Sequence, residues 1–176
     1  HHAVADSLRH TSEVHSRLFR AQASMIYPAA LERLGLYVAL QAGGVREAWG
    51  NSHRVTSPWL MGDPCQLSAG LQLAAYRSIV EAVSILLGSE TGQLVVRARC
   101  GRLGKEQGIM LIAGMLNPRQ SLAQTTMDSV NGQLAGRVLA YRGTLQCRRN
   151  RIRMLLVEAV DTPHAEPFPE REQDPR

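Results

Sequence analysis

Aromatic residues are scarce in this chain of 176 residues, and its basic residues are spread out. Phe, Trp and Tyr together make up 5% of the sequence, which leaves few side chains on which the bases of a single-stranded nucleic acid could stack. The densest basic group is Arg148, Arg149, Arg151 and Arg153 in the last fifth of the chain. We therefore expect no nucleic-acid partner, although a net charge of +5 suits an acidic one.

Cysteine and histidine give little basis for a disulfide framework or a metal centre. Cys65, Cys100 and Cys147 form no C-x-x-C pair, and an odd, scattered set predicts reduced thiols in a cytoplasmic compartment. His10 and His15 lie about 140° apart around a helix axis, whereas zinc ligands on one helix are usually three or four positions apart. We therefore expect no metal site.

Long apolar runs are also missing. None reaches the roughly 18 residues that a membrane helix needs, because Arg or Glu interrupts each one. The first residues lack the basic region and apolar core of a signal peptide. We expect a cytoplasmic fragment with one core, since 44% of the residues are apolar and 20% are charged. Residues 161–176 are rich in proline and charge and are expected to be disordered.

The helices are predicted from hydrophobic spacing and from residues that start or stop a helix. Pro28 ends the first helix, Gly35 stops the second, and Ser68 is a candidate N-cap for the longest one. Gly143 follows the last helix in the C′ position. The predicted helices span residues 3–26, 29–34, 36–49, 68–87 and 119–141.

Strands are predicted where apolar and polar residues alternate or where short apolar runs occur. They span residues 53–57, 94–100, 109–116, 144–148 and 151–158. A long helix followed by a hairpin, a helix and a second hairpin predicts helices gathered on one face of a mixed or antiparallel sheet. The expected fold class is therefore α+β, a two-layer sandwich preceded by a long N-terminal helix.

Three segments of the chain carry recognisable motifs. They read, in chain order, Pro28-Ala-Ala-Leu-Glu-Arg-Leu-Gly-Leu36, Leu71-Gln-Leu-Ala-Ala-Tyr-Arg-Ser-Ile-Val-Glu-Ala-Val83 and Arg137-Val-Leu-Ala-Tyr-Arg-Gly-Thr-Leu145. The first resembles the P-P-A-L-D-E-L-G-L linker of sensor histidine kinases in the nitrate-sensor (NarL-partner) family. The second resembles the front half of that family's N box, and the third resembles its R-V-E-A-L-G-G-x-L segment. Their order and spacing follow the family over residues 8–158.

This resemblance implies the C-terminal part of a sensor kinase with the GHKL ATP-binding fold, which gyrase shares. It implies a second dimerisation helix and linker in residues 1–27, a degenerate ATPase-like domain in residues 28–160 and a tail in residues 161–176. The parent family uses ATP and Mg²⁺, forms homodimers and signals to a response regulator. Its phosphorylated histidine lies in a motif like E-L-H-D, which neither His10 nor His15 matches.

The first departure from the family concerns magnesium. Glu81 matches the N-box glutamate, but the position of the magnesium-binding asparagine, four residues later, is Ile85. Isoleucine offers no oxygen to a cation that demands near-octahedral oxygen ligands. The resemblance therefore implies a site that has lost its metal ligand.

Two further departures concern the nucleotide itself. The family's adenine-binding aspartate should follow the strand that ends near Ala113 and Gly114, yet no acid occurs between Glu106 and Asp128. Without it the adenine amino group would be buried with no acceptor, at a cost of about 1–3 kcal/mol. The glycine box that cradles phosphates survives only as Gly132 and Gly136 in a broken pattern.

The remaining candidate residues have simpler interpretations. Glu81 is expected to pair with Arg77, one helical turn earlier. The loop carboxylates Asp63 and Glu90 are expected to be solvated. His10 and His15 remain alternative phosphoacceptors, although an exposed helical histidine is usually only polar surface.

The sequence leads us to expect a regulatory or docking pseudo-ATPase domain of a two-component sensor, without bound cofactors. Its partners would be a second copy of the chain, through the N-terminal helix, and a response regulator or another signalling protein. The longer protein would reach a membrane only through segments upstream of this fragment. Two alternatives stay open: an ATP-dependent autokinase with an atypical site, and a histidine phosphotransferase that does not use ATP.

Overall fold

The computed structural model describes residues 29–41, 54–56, 58–103, 105–117, 119 and 121–158. The predicted helix over residues 3–26, with His10 and His15, lies outside the described residues, as does the predicted tail. The predicted domain limits and the dimerisation helix therefore stay predictions.

The first described helix, α1, spans Ala29–Gln41 and is bent at Gly35. Gly35 has φ 80° and ψ 171°, which a residue with a side chain rarely adopts. The sequence predicted a helix that stops at this glycine and a second helix after it. The structure has one helical segment before the kink and one after it. Residues 42–49 of the second predicted helix lie outside the described residues.

The longest helix, α2, spans Ala69–Ser89 and begins where the sequence predicted. Ser68 is its N-cap, and the Ser68 Oγ accepts a hydrogen bond from the Leu71 backbone N–H at 3.2 Å. This helix is long and apolar enough to cross a membrane by length and composition alone. Most of its apolar residues, among them Leu71, Ile79 and Leu86, are instead buried in the core, which is the pattern of a central core helix.

The described residues contain five strands: Trp59–Met61 (β1), Leu94–Leu103 (β2), Glu106–Met115 (β3), Thr144–Arg148 (β4) and Arg151–Val157 (β5). They form one mixed sheet in the order β1-β2-β3-β5-β4. In this sheet β1 and β2 pair in parallel, and the other neighbouring strands pair antiparallel.

The short strand predicted at residues 53–57 is placed wrongly. In the structure Val55 makes only an isolated bridge with Leu94, and β1 follows Pro58 instead of preceding it. Proline lacks an N–H, so it is tolerated at the start of an edge strand more easily than inside one. The apolar triplet Trp59–Met61 then pairs with residues 97–99 of β2. A one-turn 3₁₀-helix, Pro64–Gln66, leads from β1 towards α2.

The helix after β3, α3, spans Gln124–Ala140 and begins later than the predicted residue 119. The preceding segment is held as a loop: the Asn117 Oδ1 accepts a hydrogen bond from the Arg119 N–H at 3.0 Å. The buried Leu122 anchors the loop and donates its N–H to the Arg149 carbonyl. Tertiary contacts therefore override the helical pattern of this segment.

The end of α3 corrects the predicted role of Gly143. The residue in the left-handed conformation is Arg142, with φ 50°. The Gly143 N–H then bonds the Val138 carbonyl at 3.0 Å, as in a Schellman motif. Glycine is required at 143 for another reason, since a Cβ there would lie 1.9 Å from the Leu155 carbonyl oxygen.

The described residues form two layers, as the sequence predicted. Helices α2 and α3 pack on one face of the sheet, and the inward residues of the strands alternate with exposed ones. The inward set is fully or almost fully buried and comprises Leu94, Val96, Ala98, Ile109, Leu111, Ala113, Ile152, Met154 and Leu156. The opposite face of the sheet is left to solvent over most of its area.

Replacing the N-cap of α2 tests this placement. Ser68→Ala should lower the free energy of unfolding by about 1 kcal/mol, because the Leu71 N–H loses its acceptor. Ser84→Ala is the matched control: Ser84 lies inside the same helix, and its Oγ only donates to the Val80 carbonyl. Urea denaturation should find the control unchanged or slightly more stable, and an equal loss in both variants would contradict the cap.

Candidate functional site

Glu81, the residue that resembles the N-box glutamate, lies on α2 and faces α3. The Glu81 Oε2 and the Arg137 Nη1 form an ion pair at 2.5 Å, and both side chains are partly exposed. The sequence indicated Arg77, one turn away, whereas Arg137 lies on another helix, so the structure adds a partner that local spacing could not indicate. Because the pair is partly solvated, it contributes about 1 kcal/mol or less.

Ile85 lies one turn after Glu81 on the same helix. Its side chain is half-buried and packs against the core. At the position where the resembled family has a magnesium ligand, this chain therefore has an apolar packing residue. Among the described residues, no group of three or more His, Cys, Asp and Glu side chains is arranged to hold a metal ion.

Ala113 and Gly114 lie inside β3, and both are buried. Gly114 is opposite Val95 on one side and Arg151 on the other. A Cβ on Gly114 would lie 2.5 Å from the Asn150 carbonyl oxygen, so only glycine fits beneath the turn between β4 and β5. That turn is bonded to the end of β3, because the Met115 N–H donates to the Asn150 carbonyl at 2.7 Å. The predicted adenine region is thus a packed part of the sheet.

Gly132 and Gly136, which the sequence predicted to be remnants of a glycine box, lie inside α3 and are exposed. A Cβ on either would meet no atom within 4 Å, so neither glycine is required by a close approach. The backbone N–H groups of a helix interior are committed to carbonyls four residues earlier. These glycines therefore do not form a loop that presents free N–H groups to phosphate.

The N-terminus of α3 is bonded to a carboxylate that the sequence placed in solvent. The Glu90 Oε1 accepts hydrogen bonds from the Ala123 N–H at 2.9 Å and from the Thr126 Oγ at 2.6 Å. Thr126 is 1% exposed, and the N-cap residue Ala123 has no side-chain oxygen of its own. The prediction that Glu90 is merely solvated is wrong, because its carboxylate caps α3 from a position more than thirty residues earlier in the chain.

Arg54 completes this arrangement from the other side. Its guanidinium donates to the carbonyls of Leu87 at 3.2 Å, of Gly92 at 3.0 Å and of Glu90. A cation at these carbonyls stabilises the C-terminal end of α2, where the helix dipole is negative. Arg54, Glu90, Ala123 and Thr126 together are called the helix junction below. Nothing in the local sequence around Glu90 or Arg54 signals it.

A helix N-terminus is an ordinary place to bind a phosphate, because its free N–H groups and its dipole attract anions. In α3 the first of these donors already has a carboxylate partner in Glu90. A phosphate group at the same place would meet the negative charge of Glu90 at short range. The helix junction therefore disfavours a second anion there.

The cysteines are poorly suited to nucleophilic chemistry. Burial raises the pKa of the Cys100 and Cys147 thiols, and the hydrogen bond and charge of Asp63 raise the pKa of Cys65. Cys100 is also in contact with Tyr37, whose Oη lies 3.2 Å from the Cys100 Sγ and donates to the Met61 carbonyl. Burial raises the pKa of Tyr37 as well, so thiol and phenol both stay protonated at neutral pH.

Asp63 was expected to be a solvated loop carboxylate. It is exposed, but its Oδ1 accepts a hydrogen bond from the Cys65 N–H at 2.9 Å and so caps the 3₁₀-helix. This corrects the prediction in part, since the role of Asp63 is local and structural. An Asp immediately before Pro64 at a helix start is a signal that the sequence did offer.

A depression of about 310 Å³ lies elsewhere, near the edge strand β1. Thr56, Trp59, Val95, Val96 and Arg97 line it. None of the predicted nucleotide-site residues belongs to this lining. The depression is open to solvent and mixed in polarity, and it lies apart from the residues that the resemblance assigns to the degenerate nucleotide site.

No family model matches this chain, and no curated protein matches it either. Similar folds occur among solved structures. The Erythrobacter litoralis EL346 blue-light activated histidine kinase is similar with a TM-score of 0.49 and 10% identity, over 80% of this chain and 51% of that one. This chain thus spans about half the length of that kinase.

Two further structures are similar in the same way. The catalytic domain of histidine kinase ThkA has a TM-score of 0.45 and 4% identity, over 70% of this chain and 88% of that domain. The Acinetobacter baumannii histidine kinase AdeS has a TM-score of 0.43 and 12% identity, over 92% of this chain and 86% of that one. At these identities the similarity concerns the fold alone.

A substitution at Gly132 tests the helical structure of this segment. Gly132→Ala should raise the free energy of unfolding by about 0.5–1 kcal/mol, because Gly132 is exposed inside a helix and a Cβ there has room. Gly143→Ala is the contrasting control and should be clearly destabilising, since its Cβ would overlap the Leu155 carbonyl. Thermal unfolding monitored by circular dichroism measures both, and destabilisation by Gly132→Ala would contradict the helix.

The helix junction can be tested in the same way. Glu90→Ala should lower the free energy of unfolding by about 1–3 kcal/mol, because it leaves the buried Thr126 hydroxyl without its acceptor. Glu90→Gln keeps an acceptor oxygen and should lose less. In a double-mutant cycle with Thr126→Val, the cost of Glu90→Ala should shrink. Purely additive effects would mean that the two side chains are not coupled.

Proposed function

We propose that this chain is a regulatory or docking pseudo-ATPase domain of a two-component sensor histidine kinase, which acts through protein contacts. The proposal rests first on the three motifs that resemble the sensor-kinase linker, N box and final segment. In the structure the N-box segment forms the central helix α2, and the last motif joins α3 to β4. These two motifs therefore occupy elements suited to that fold.

The proposed loss of nucleotide binding is supported mainly by the structure of α3. Its two glycines lie inside the helix, and its N-terminus is bonded to Glu90. A phosphate would find neither a glycine loop nor an unoccupied helix start. Ile85 adds an apolar residue where Mg²⁺ would need an oxygen, and Ala113 adds one near the place where adenine would need an acceptor.

The proposal includes partners and a location. We propose that residues 3–26 pair with a second copy of the chain, since their apolar stripe needs a partner helix to cover it. A response regulator or another signalling protein would read the position of the domain. The domain would work in the cytoplasm.

Calorimetry with ATP, with and without Mg²⁺, tests the proposal at protein concentrations that would detect a millimolar dissociation constant. We expect no binding heat in either condition. ATP binding that depends on Mg²⁺ would contradict the proposal and favour an autokinase with an atypical site. Phosphate transfer from a phosphorylated response regulator to the chain would favour the phosphotransferase instead.

A single reversion provides a second test. Ile85→Asn restores the missing oxygen ligand, but we expect it to bring no ATP binding, because the adenine acceptor and the glycine loop are still absent. Ile85→Ala serves as the control for any loss of packing at this half-buried position. Micromolar ATP binding by Ile85→Asn alone would mean that the adenine acceptor and the glycine loop are not required, and it would contradict the proposal.

A further inference from the structure

The face of the sheet that the described helices leave uncovered carries five arginines. Arg97 and Arg99 project from β2, Arg148 from β4, and Arg151 and Arg153 from β5; all five are exposed. These five residues are called the arginine face below. Residues opposite one another in neighbouring strands point to the same side, so the pairing register places all five together.

The register also gives the order of the rows. One row runs Trp59, Arg97, Ile112, Arg153 and Gln146 across the sheet. The next row runs Met61, Arg99, Met110, Leu155 and Thr144. The third runs Val95, Gly114, Arg151 and Arg148. Arginines alternate with apolar residues in the first row, a single arginine lies among apolar residues in the second, and two arginines are adjacent in the third. The face therefore combines arginines with apolar residues.

No described Asp or Glu occupies a position in these three rows, and none forms an ion pair with the arginine face. Two ion pairs among the described residues, Arg137 with Glu81 and Arg142 with Glu106, lie away from these rows. Arg148 and Arg151 are direct cross-strand neighbours. Like charges in such positions destabilise a sheet, so the fold keeps a charge arrangement that an anionic partner would relieve.

The apolar part of the face indicates which anionic partner fits. Trp59 is 57% exposed and Met61 is 38% exposed, both on the edge strand β1. The Arg97 guanidinium lies over the Trp59 ring, 5.5 Å from its centroid. Trp, Met and Arg are enriched in protein interfaces, and Trp and Arg are frequent hot spots there. A polyphosphate backbone would have no use for the apolar rows, and one tryptophan offers little stacking surface.

We propose that the arginine face is a docking surface for an acidic protein partner whose carboxylates alternate with apolar side chains. This deepens the proposed function and rests on it, because it names the surface and the partner chemistry of a docking domain. A second copy of the chain does not fit the face, since two arginine faces would repel each other. The depression beside Trp59 and Arg97 offers room for one apolar side chain of the partner.

Fluorescence anisotropy with a labelled peptide in which Glu and Leu alternate tests the proposal. Two other probes report the competing partners: an oligo-dT strand and phosphatidylcholine vesicles that contain phosphatidylserine. We expect the peptide to bind more tightly than either, with an affinity that falls as salt is raised because the charges are exposed. Tighter binding of the oligonucleotide or of the vesicles would overturn the proposal.

Matched double variants separate the face from the net charge. Arg99→Gln with Arg153→Gln removes two charges from the centre of the arginine face and should weaken peptide binding roughly five- to tenfold. Arg33→Gln with Arg102→Gln removes the same charge elsewhere: Arg33 is exposed on α1, and Arg102 belongs to the opposite alternation of β2. The control should bind the peptide as the unmodified chain does. An equal loss in both would overturn the proposal.

Both double variants change exposed side chains, so the melting temperature should stay within a few degrees of the unmodified chain. Failure of this inference is distinguishable from failure of the proposed function. A chain that binds neither ATP nor the peptide keeps the pseudo-ATPase proposal and loses this surface. A chain that binds ATP with Mg²⁺ and also binds the peptide at the arginine face keeps the surface and loses the pseudo-ATPase role.

Discussion

The carboxylate of Glu90 joins the end of one core helix to the start of the other, and the helical layer depends on that contact. The Glu90 backbone carbonyl accepts a hydrogen bond from Arg54 beside the last turn of α2. The Glu90 side chain accepts hydrogen bonds from Ala123 and Thr126 at the start of α3. Both helices pack on the same face of the sheet, and the hydrogen bonds of Glu90 hold the end of α2 next to the start of α3. Loss of this carboxylate would leave a buried hydroxyl and an uncapped helix in one place.

Local signals were enough to predict much of this architecture. The Ser68 cap, the break at Gly35 and the alternation of β2 and β5 each depend on residues within a few positions of one another. The two-layer arrangement followed from the order of these elements. In the candidate site, Glu81 and Ile85 were also placed correctly on one helix, since their spacing fixes them on adjacent turns.

The features that sequence reasoning missed all depend on partners far away in the chain. Glu90 reaches Thr126, and Glu81 reaches Arg137, through packing that no short window contains. The predicted start of α3 was wrong for the same reason, because the Leu122 N–H is bonded to the carbonyl of Arg149, which lies in the turn between β4 and β5 and comes later in the sequence. Residues 119–123 are mostly good helix formers, but helix propensity is a weak determinant that a buried anchor outweighs.

A domain that no longer binds a nucleotide also loses the stabilisation that a bound ligand supplies. That stabilisation grows with the ratio of the ligand concentration to the dissociation constant. In the proposed function, internal groups have to supply it instead. Glu90 places a negative charge at the start of α3 without any phosphate, and Asn150 closes over Gly114 at the end of β3. Because these contacts and the core lie on the helical side of the sheet, residues on the other face can be substituted with little effect on the stability of the fold. The five arginines lie on that face, where a partner can use their charge at little expense to the core.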